Sequence, residues 1–543
     1  MLMQTFTRPQ AQGAINRARR VLLVLASVAV LLCSPLSAQE RYKANVSVEM
    51  DQARTFVSVR AFGIHTSVYD AALMDAQTPQ LMRLAGITTL RYPGGGYADN
   101  YHFSTYKPTR WQAEEPPRYG YYHPGNDFGH FVKLLDQIPA TAIITVNYGS
   151  NLAGTGGGEP AEAAAWVAYS NGDPSDTRVI GNDSTGYDWK TVGYWASLRA
   201  SEPLPQDDGL NFLRIAHPRP VNIVYWEIGN EVFGNGWYEK DKLGFEEDLH
   251  APYGGGPRKK PALSPQSYGK NVLLFAKAMK AVDPRIKIGA VLTTVPMDNL
   301  WGLDWNPGVL REAGQAVDFG IIHWYTGDLL PPDWKELNVP QFLNTPQTDL
   351  PQITNALLEQ FKKYCGANAQ NMQIAITEFG PRPYSKFTDD IARGLFVADG
   401  YLSWIEAGAV NIDYLELHAK FLSDKNVPEP PYYAVQLARK IFRPNDTVVS
   451  SRSNRESLVA HAVKRADGNL GLVLINKDPQ RDATVRITVK GASMGTRGAR
   501  VDYGKGATPA SPALAATQFE GGNTFDVSVP AYTMTGIVVP KAQ

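Results

Sequence analysis

The 543-residue chain carries 53 Lys plus Arg against 53 Asp plus Glu, together with 11 Trp and 26 Tyr. That balance excludes a nucleic-acid partner held by bulk charge, and the length exceeds what one ordinary core fills, so two domains are expected. The one basic run, Arg258-Lys259-Lys260 between two prolines, reads as a solvated loop.

Arg17, Arg19 and Arg20 precede an apolar run from Val21 to Leu32, and Cys33 to Ala38 follow with small residues. This is the pattern of an export signal over residues 1–38, too short for a comfortable membrane span and cleaved after Ala38. The paired Arg19-Arg20 also allows twin-arginine export. The expectation is a secreted or periplasmic protein with no membrane attachment once the signal is gone. Cys365 would then be the only cysteine left, packed at a helix end, with no intrachain disulfide.

Residues 39–60 read as one or two strands, and Phe62 to His65 as the first strand of a repeating unit. Thr78 to Ala85 is a helix with Pro79 in its first turn and Gly86 as its stop. Strands follow at Ile87 to Tyr92 and Thr141 to Asn147, with a helix at Asp127 to Ile138 between them. An alanine-rich helix spans Glu159 to Asn171. Residues 172–220 lose periodicity apart from a helix at Val192 to Arg199, and 234–264 form a second irregular excursion. Between them Val221 to Ile228 is β-branched and aromatic on both faces, the mark of a buried parallel strand.

Pro265 to Val282 is amphipathic, Ile286 to Leu292 is strand five and Val317 to His323 strand six. Leu350 to Tyr364 is helical, Gln373 to Glu378 is strand seven, Thr388 to Ala407 is a helix and Ala409 to Leu417 is strand eight. Eight strands separated by helices or long connections predict an α/β fold, a (β/α)8 barrel over residues 61–442. From 443 to 543 short strands alternate with turn formers such as Asp467-Gly468-Asn469, which predicts an all-β sandwich. The strands of 39–60 are candidates to join its sheet.

Active sites of such barrels lie at the carboxyl ends of the strands. Glu231 follows strand four and Glu378 ends strand seven, positions that face each other across the mouth. Cleaving a glycosidic bond with retention needs two carboxylates about 5 to 5.5 Å apart. Trp226, Phe233 and Trp237 supply aromatic surroundings, and the Asn230 amide can reach a sugar 2-hydroxyl. His323, Trp324 and Tyr325 end strand six, where Tyr325 could orient Glu378 and His323 could bind it or the sugar. Gly154 to Gly158 fits neither dinucleotide nor phosphate-loop spacing, and nothing in the sequence calls for a metal or other cofactor.

The pairs Asn230-Glu231 and Thr377-Glu378-Phe379 resemble those of clan A glycoside hydrolases, the retaining (β/α)8 enzymes. Leu90-Arg91-Tyr92-Pro93-Gly94-Gly95, Gly229-Asn230-Glu231, Ile322-His323-Trp324-Tyr325 and the β-rich tail are most similar to family 51, the α-L-arabinofuranosidases. The resemblance runs from about Phe62 onwards. It implies Glu231 as acid/base, Glu378 as nucleophile, and Asn230, His323 and Tyr325 as supports, with Arg91 and Asn147 helping to hold the site. The implied substrate is a polysaccharide or oligosaccharide. The family's Trp-Arg-Asp segment is replaced after Gly96 by YADNYHFSTYKP, which leaves other clan activities open: endo-β-glucanase, β-xylosidase or β-glucuronidase. A carbohydrate-binding barrel without catalysis is the remaining alternative.

Overall fold

A computed structural model describes residues 41–107, 121–234, 248–250, 264–294, 304–329, 337–381, 390–504 and 517–543. The expected export signal, Trp237, the Arg258 to Lys260 run and most of the 234–264 excursion lie outside these residues.

The eight barrel strands are β2 (Arg60–His65), β3 (Thr89–Tyr92), β4 (Thr141–Val146), β5 (Tyr225–Ile228), β6 (Lys287–Val291), β7 (Phe319–Tyr325), β8 (Gln373–Gly380) and β9 (Asn411–Tyr414). All neighbours pair in parallel and β9 closes on β2. Every residue of β5 is buried, as strands covered on both faces require. Nine helices are described: α1 (Thr78–Ala85), α2 (Phe128–Leu135), α3 (Pro160–Asn171), α4 (Val192–Ala200), α5 (Pro265–Val282), α6 (Trp305–Ala313), α7 (Val339–Tyr364), α8 (Asp390–Glu406) and α9 (Pro430–Ile441).

Three helices differ from expectation, each because of proline. Helix α7 starts at Val339, not Leu350, and runs through Pro346 and Pro351. Its start is fixed by a capping box between Asn338 and Gln341. Pro346 has no N–H for the Phe342 carbonyl, and the Thr345 hydroxyl donates to that carbonyl instead, at 2.8 Å. Helices α6 and α9 were not expected. Pro307 and Gly308 obscure the pattern of α6, and in α9 the prolines occupy the first turn, where no N–H is needed.

A second sheet has nine strands in the order β15-β14-β17-β12-β11-β10-β1-β13-β16. Here β1 is Arg41–Phe56, and β10 to β17 are Thr447–Ser453, Leu458–Lys464, Leu470–Asn476, Asp482–Lys490, Arg497–Gly504, Thr517–Glu520, Thr524–Val529 and Thr533–Val539. The single strand β1 sits inside the sheet, antiparallel to β10 and parallel to β13. Strand β16 packs near β12 and β17, far from it in hydrogen-bond order, so the sheet folds over on itself. Val46, Val48, Leu472, Leu474, Val485, Ile487, Val527 and Ile537 fill the space enclosed.

The outer face of this sheet lies on the barrel, where Val463, Val473, Ile475 and Met534 join the barrel's core. A charged cluster is buried at the same contact. Asp399 of α8 faces His461 Nε2 of β11 at 2.9 Å and Lys477 Nζ at 2.7 Å, and accepts from Gln347 of α7 at 2.7 Å. His461 Nδ1 faces Glu406 at 2.9 Å. With a carboxylate at each ring nitrogen, both nitrogens must donate, so His461 is an imidazolium. Burial opposes that charge, but Glu406 and Asp399 prevail and push the imidazole up to about 9.

Candidate active site

Side chains in a strand alternate between faces, so the end of β7 sends His323 and Tyr325 one way and Trp324 the other. In β8 the phase is set by a bulge. Ile322 pairs with Ile376 and His323 with Glu378, leaving Thr377 as the extra residue. The shift places Glu378 beside His323 and Tyr325 at the barrel mouth. After β5, Gly229 adopts φ +77°, where a Cβ would meet the Tyr148 Cβ at 2.8 Å, and Glu231 adopts φ 39°. This tight turn aims Asn230 and Glu231 at the same space.

The contacts there are short and buried. Tyr325 donates its phenolic hydrogen to Glu378 Oε2 at 2.5 Å, and Arg91 donates to Glu378 Oε1 at 2.7 Å. Arg91 comes from the end of β3 and is fully buried. Its guanidinium also donates to Glu227 Oε2 at 2.9 Å and to Asn230 Oδ1 at 2.8 Å, and approaches His65 Nδ1 at 3.1 Å. A guanidinium can only donate, so His65 Nδ1 accepts and the Asn230 amide nitrogen points elsewhere. His323 Nδ1 lies 2.7 Å from Glu231 Oε1 and 3.6 Å from Glu378 Oε2, and its Nε2 lies 3.1 Å from the Thr377 hydroxyl. One donor atom each of Glu231, His323 and Glu378 lies within 4.8 Å of the others. Glu378 is 8% exposed at its side chain and Glu231 26%.

The electrostatics follow from the packing. Burial would raise the Glu378 carboxyl, but His323, Arg91 and His65, with the Tyr325 hydrogen bond, bring it down to about 2, so it is ionised. Burial would lower His323, yet Glu378 and Glu231 hold it above its ordinary value. Burial and then Arg91 push His65 down to about 3, which keeps it neutral. Burial and then Glu378 raise the Tyr325 phenol well above the usual range, so it stays a hydrogen donor. Glu231, His323 and Glu378 form a three-donor group that could hold a cation. Each Glu378 oxygen already accepts a hydrogen bond, from Arg91 or Tyr325, and the buried Arg91 charge opposes a second cation beside it.

Glu231, Glu378, Asn230, His323, Tyr325 and Arg91 are thus brought together. Two expected residues make none of these contacts. Trp324 is buried on the outer face of β7, stacked on Phe379 at 6.3 Å between ring centroids and packed against Phe396 and Trp404, so it cannot line the mouth. Asn147 spends its amide on the adjoining loop: its nitrogen donates to the Tyr101 carbonyl at 3.1 Å and its oxygen accepts from the Ser150 N–H at 2.9 Å. Trp226 is also fully buried in the barrel wall.

Several site residues were missed. Glu227 and Thr145 lie beneath Arg91, the Thr145 hydroxyl donating to Glu227 Oε2 at 2.6 Å. The signal for Glu227 was a charge inside a fully buried strand, which must have a partner. Glu416, just after β9, accepts from the Tyr69 hydroxyl at 2.7 Å and feels the charge of Glu378. No local pattern distinguishes Glu416 in the sequence.

A closed parallel barrel with two carboxylates converging at the carboxyl ends of β5 and β8 resembles the architecture of the clan A glycoside hydrolases. The chain is similar to α-L-arabinofuranosidases, those of family 51 among them. Over 251 residues it is 25% identical to α-L-arabinofuranosidase C of Emericella nidulans, a match covering 44% of this chain and 38% of that one. The chain spans under two-fifths of the length of such relatives. The family 51 α-L-arabinofuranosidase of Thermotoga petrophila superposes with a TM-score of 0.67 at 18% identity, covering 92% of this chain and 100% of that one. A family 44 xyloglucanase of Paenibacillus polymyxa superposes with a TM-score of 0.59 at 15% identity, over 93% of this chain and 100% of that one. At these identities the structural likeness concerns the fold. No family profile matches the chain, and among the described residues no helix is long and apolar enough to cross a membrane.

Proposed function

We propose that the protein is an exported retaining glycoside hydrolase that releases α-L-arabinofuranosyl residues from plant-type polysaccharide or oligosaccharide by double displacement. The observation that supports the mechanism is that one oxygen of Glu231 and one of Glu378 lie within 4.8 Å of each other, which leaves little room for a water between them. Retaining enzymes hold their carboxylates about 5 to 5.5 Å apart, whereas inverting ones leave about 6.5 to 9.5 Å for a water. The sugar assignment rests on the arabinofuranosidase relatives, and export on the pattern of residues 1–38.

In the first step a Glu378 oxygen attacks the anomeric carbon while Glu231 gives its proton to the departing glycosidic oxygen. Arg91 and Tyr325 hold the two Glu378 oxygens, so the attacking carboxylate enters the reaction already oriented. The new carbon–oxygen bond removes the negative charge of Glu378. In the second step Glu231, now a carboxylate, takes a proton from water. The resulting hydroxide bonds to the anomeric carbon and Glu378 leaves as a carboxylate. His323 fixes the Glu231 side chain throughout, itself steadied by Thr377. Arg91 holds the Asn230 amide oxygen, and in this reading the amide nitrogen donates to the sugar 2-hydroxyl.

The test is hydrolysis of 4-nitrophenyl glycosides, α-L-arabinofuranoside beside β-xyloside, β-glucoside and β-glucuronide, with Glu378→Ala as the blank. Preferential release from the arabinofuranoside, at least about 10³-fold above that blank, is expected. NMR of the first-formed sugar should show the anomeric configuration retained. An inverted product would overturn the mechanism, preferential release of another sugar would overturn the substrate, and equal activity of Glu378→Ala would overturn both.

A further inference from the structure

Glu227 is a carboxylate with no solvent contact, set in β5 four residues before Glu231, and it touches no position a sugar could reach. Its Oε2 takes the Arg91 Nε hydrogen at 2.9 Å and the Thr145 hydroxyl at 2.6 Å. The other Arg91 nitrogens hold Glu378 and Asn230, at 2.7 and 2.8 Å. A planar guanidinium gripped along its Nε edge cannot rotate without breaking its other bonds, so Glu227 fixes the direction from which Arg91 meets Glu378. It also sets charge. A buried cation against Glu378 alone would neutralise much of the charge that must attack carbon, and a second carboxylate on the far edge offsets that pull.

We propose that Glu227 is a positioning residue of the reaction: through Arg91 it fixes the Glu378 carboxylate and preserves its strength as a nucleophile. The proposal rests on the reading of Glu378 as the nucleophile. Asp413 of β9 lies in the same buried layer, and burial and then Glu227 push its carboxyl well above the ordinary range. The ion pair with Arg91, however, is made by Glu227, which is therefore the carboxylate that balances the guanidinium.

Glu227→Gln keeps an oxygen for Arg91 and Thr145 and removes only the charge, whereas Glu227→Ala removes both. Loss of a buried negative charge makes protons in the site easier to lose. The direct readout is the titration of His323, followed by NMR of 13C-labelled imidazoles and assigned with His323→Gln. The charged and titratable groups facing His323 are Glu378, Glu231, Arg91 and His65. In Glu227→Gln the His323 midpoint should fall by about half a pH unit or more, and the alkaline limb of the pH–rate profile should move the same way. kcat should fall about tenfold or more with KM little changed, and Glu227→Ala should lose more. Asp413→Asn, at a carboxyl that makes no ion pair with Arg91, should move the His323 midpoint less.

An unchanged His323 midpoint in folded Glu227→Gln would overturn the proposal, as would an equal fall in Asp413→Asn. If Glu227→Gln fails to fold, Thr145→Val, which weakens the hold on Glu227 and keeps its charge, should lower kcat without moving the midpoint; unchanged kcat would then overturn it. The NMR readout needs no turnover, so a wild type inactive on every glycoside would reject the proposed function and still leave the charge on His323 measured.

Discussion

The contact between barrel and sheet should weaken in alkali, because His461 can keep both carboxylates satisfied only while it is charged. The folded protein holds its proton up to about pH 9, against an ordinary value of 6.5. Since the folded state binds this proton more tightly than the unfolded chain, the stabilisation is fully present below pH 6.5 and is lost as pH rises through 9. The difference corresponds to about 3 kcal/mol. Replacing His461 with Gln removes that proton linkage and leaves Asp399 with Lys477 and Gln347. Urea unfolding followed by tryptophan fluorescence at pH 6, 7.5 and 9.5 measures the effect. The wild type should lose about 3 kcal/mol more than His461→Gln between the two ends of the series. Parallel losses in the two proteins would show that the imidazolium does not hold the two modules together.

Three further outcomes follow from particular contacts. Tyr325→Phe removes the hydrogen bond to Glu378 Oε2, and kcat on an aryl arabinofuranoside should fall about 10- to 100-fold with the protein still folded. Gly229→Ala places a Cβ 2.8 Å from that of Tyr148 at a positive φ; thermal unfolding should show a loss of about 2 kcal/mol or more, and activity should drop with the displaced turn. Trp324→Phe should lower the melting temperature through lost packing yet leave KM within about twofold, since the ring faces Phe379, Phe396 and Trp404.

The barrel was legible because its strands are buried on both faces: the run through Tyr225 to Ile228 and that through Ile374 to Glu378 have no solvent phase to hide in. Glu231 follows the first run by three residues and Glu378 closes the second, so position at the strand ends was enough to pair them. Direction was harder. That Trp324 turns outward follows from alternation about His323 and Tyr325, but the bulge that brings Glu378 into their phase belongs to the pairing of two strands, not to either sequence. Asn147 stands at a strand end as expected, and only the nearness of Tyr101 and Ser150 shows where its amide is spent. The link from Glu227 to Arg91 spans 136 positions in the chain, beyond any local pattern. Prolines concealed helices α6 and α9 and the first turns of α7 for the opposite reason: their local preference was overridden by position in the first turn or by a substitute donor.

The place of β1 has a consequence for how the molecule is made. Val46 pairs with Ser453 on one side and Ile487 on the other, so the strand that emerges early must remain without its neighbours until roughly four hundred more residues have followed. The barrel can form in that interval, but the sheet cannot close around its middle strand. The two modules are thereby sewn together by the chain itself, the barrel being an insertion between one strand of the sheet and the next. Cutting after the barrel would orphan β1, leaving both of its hydrogen-bonding edges exposed along a strand of sixteen residues.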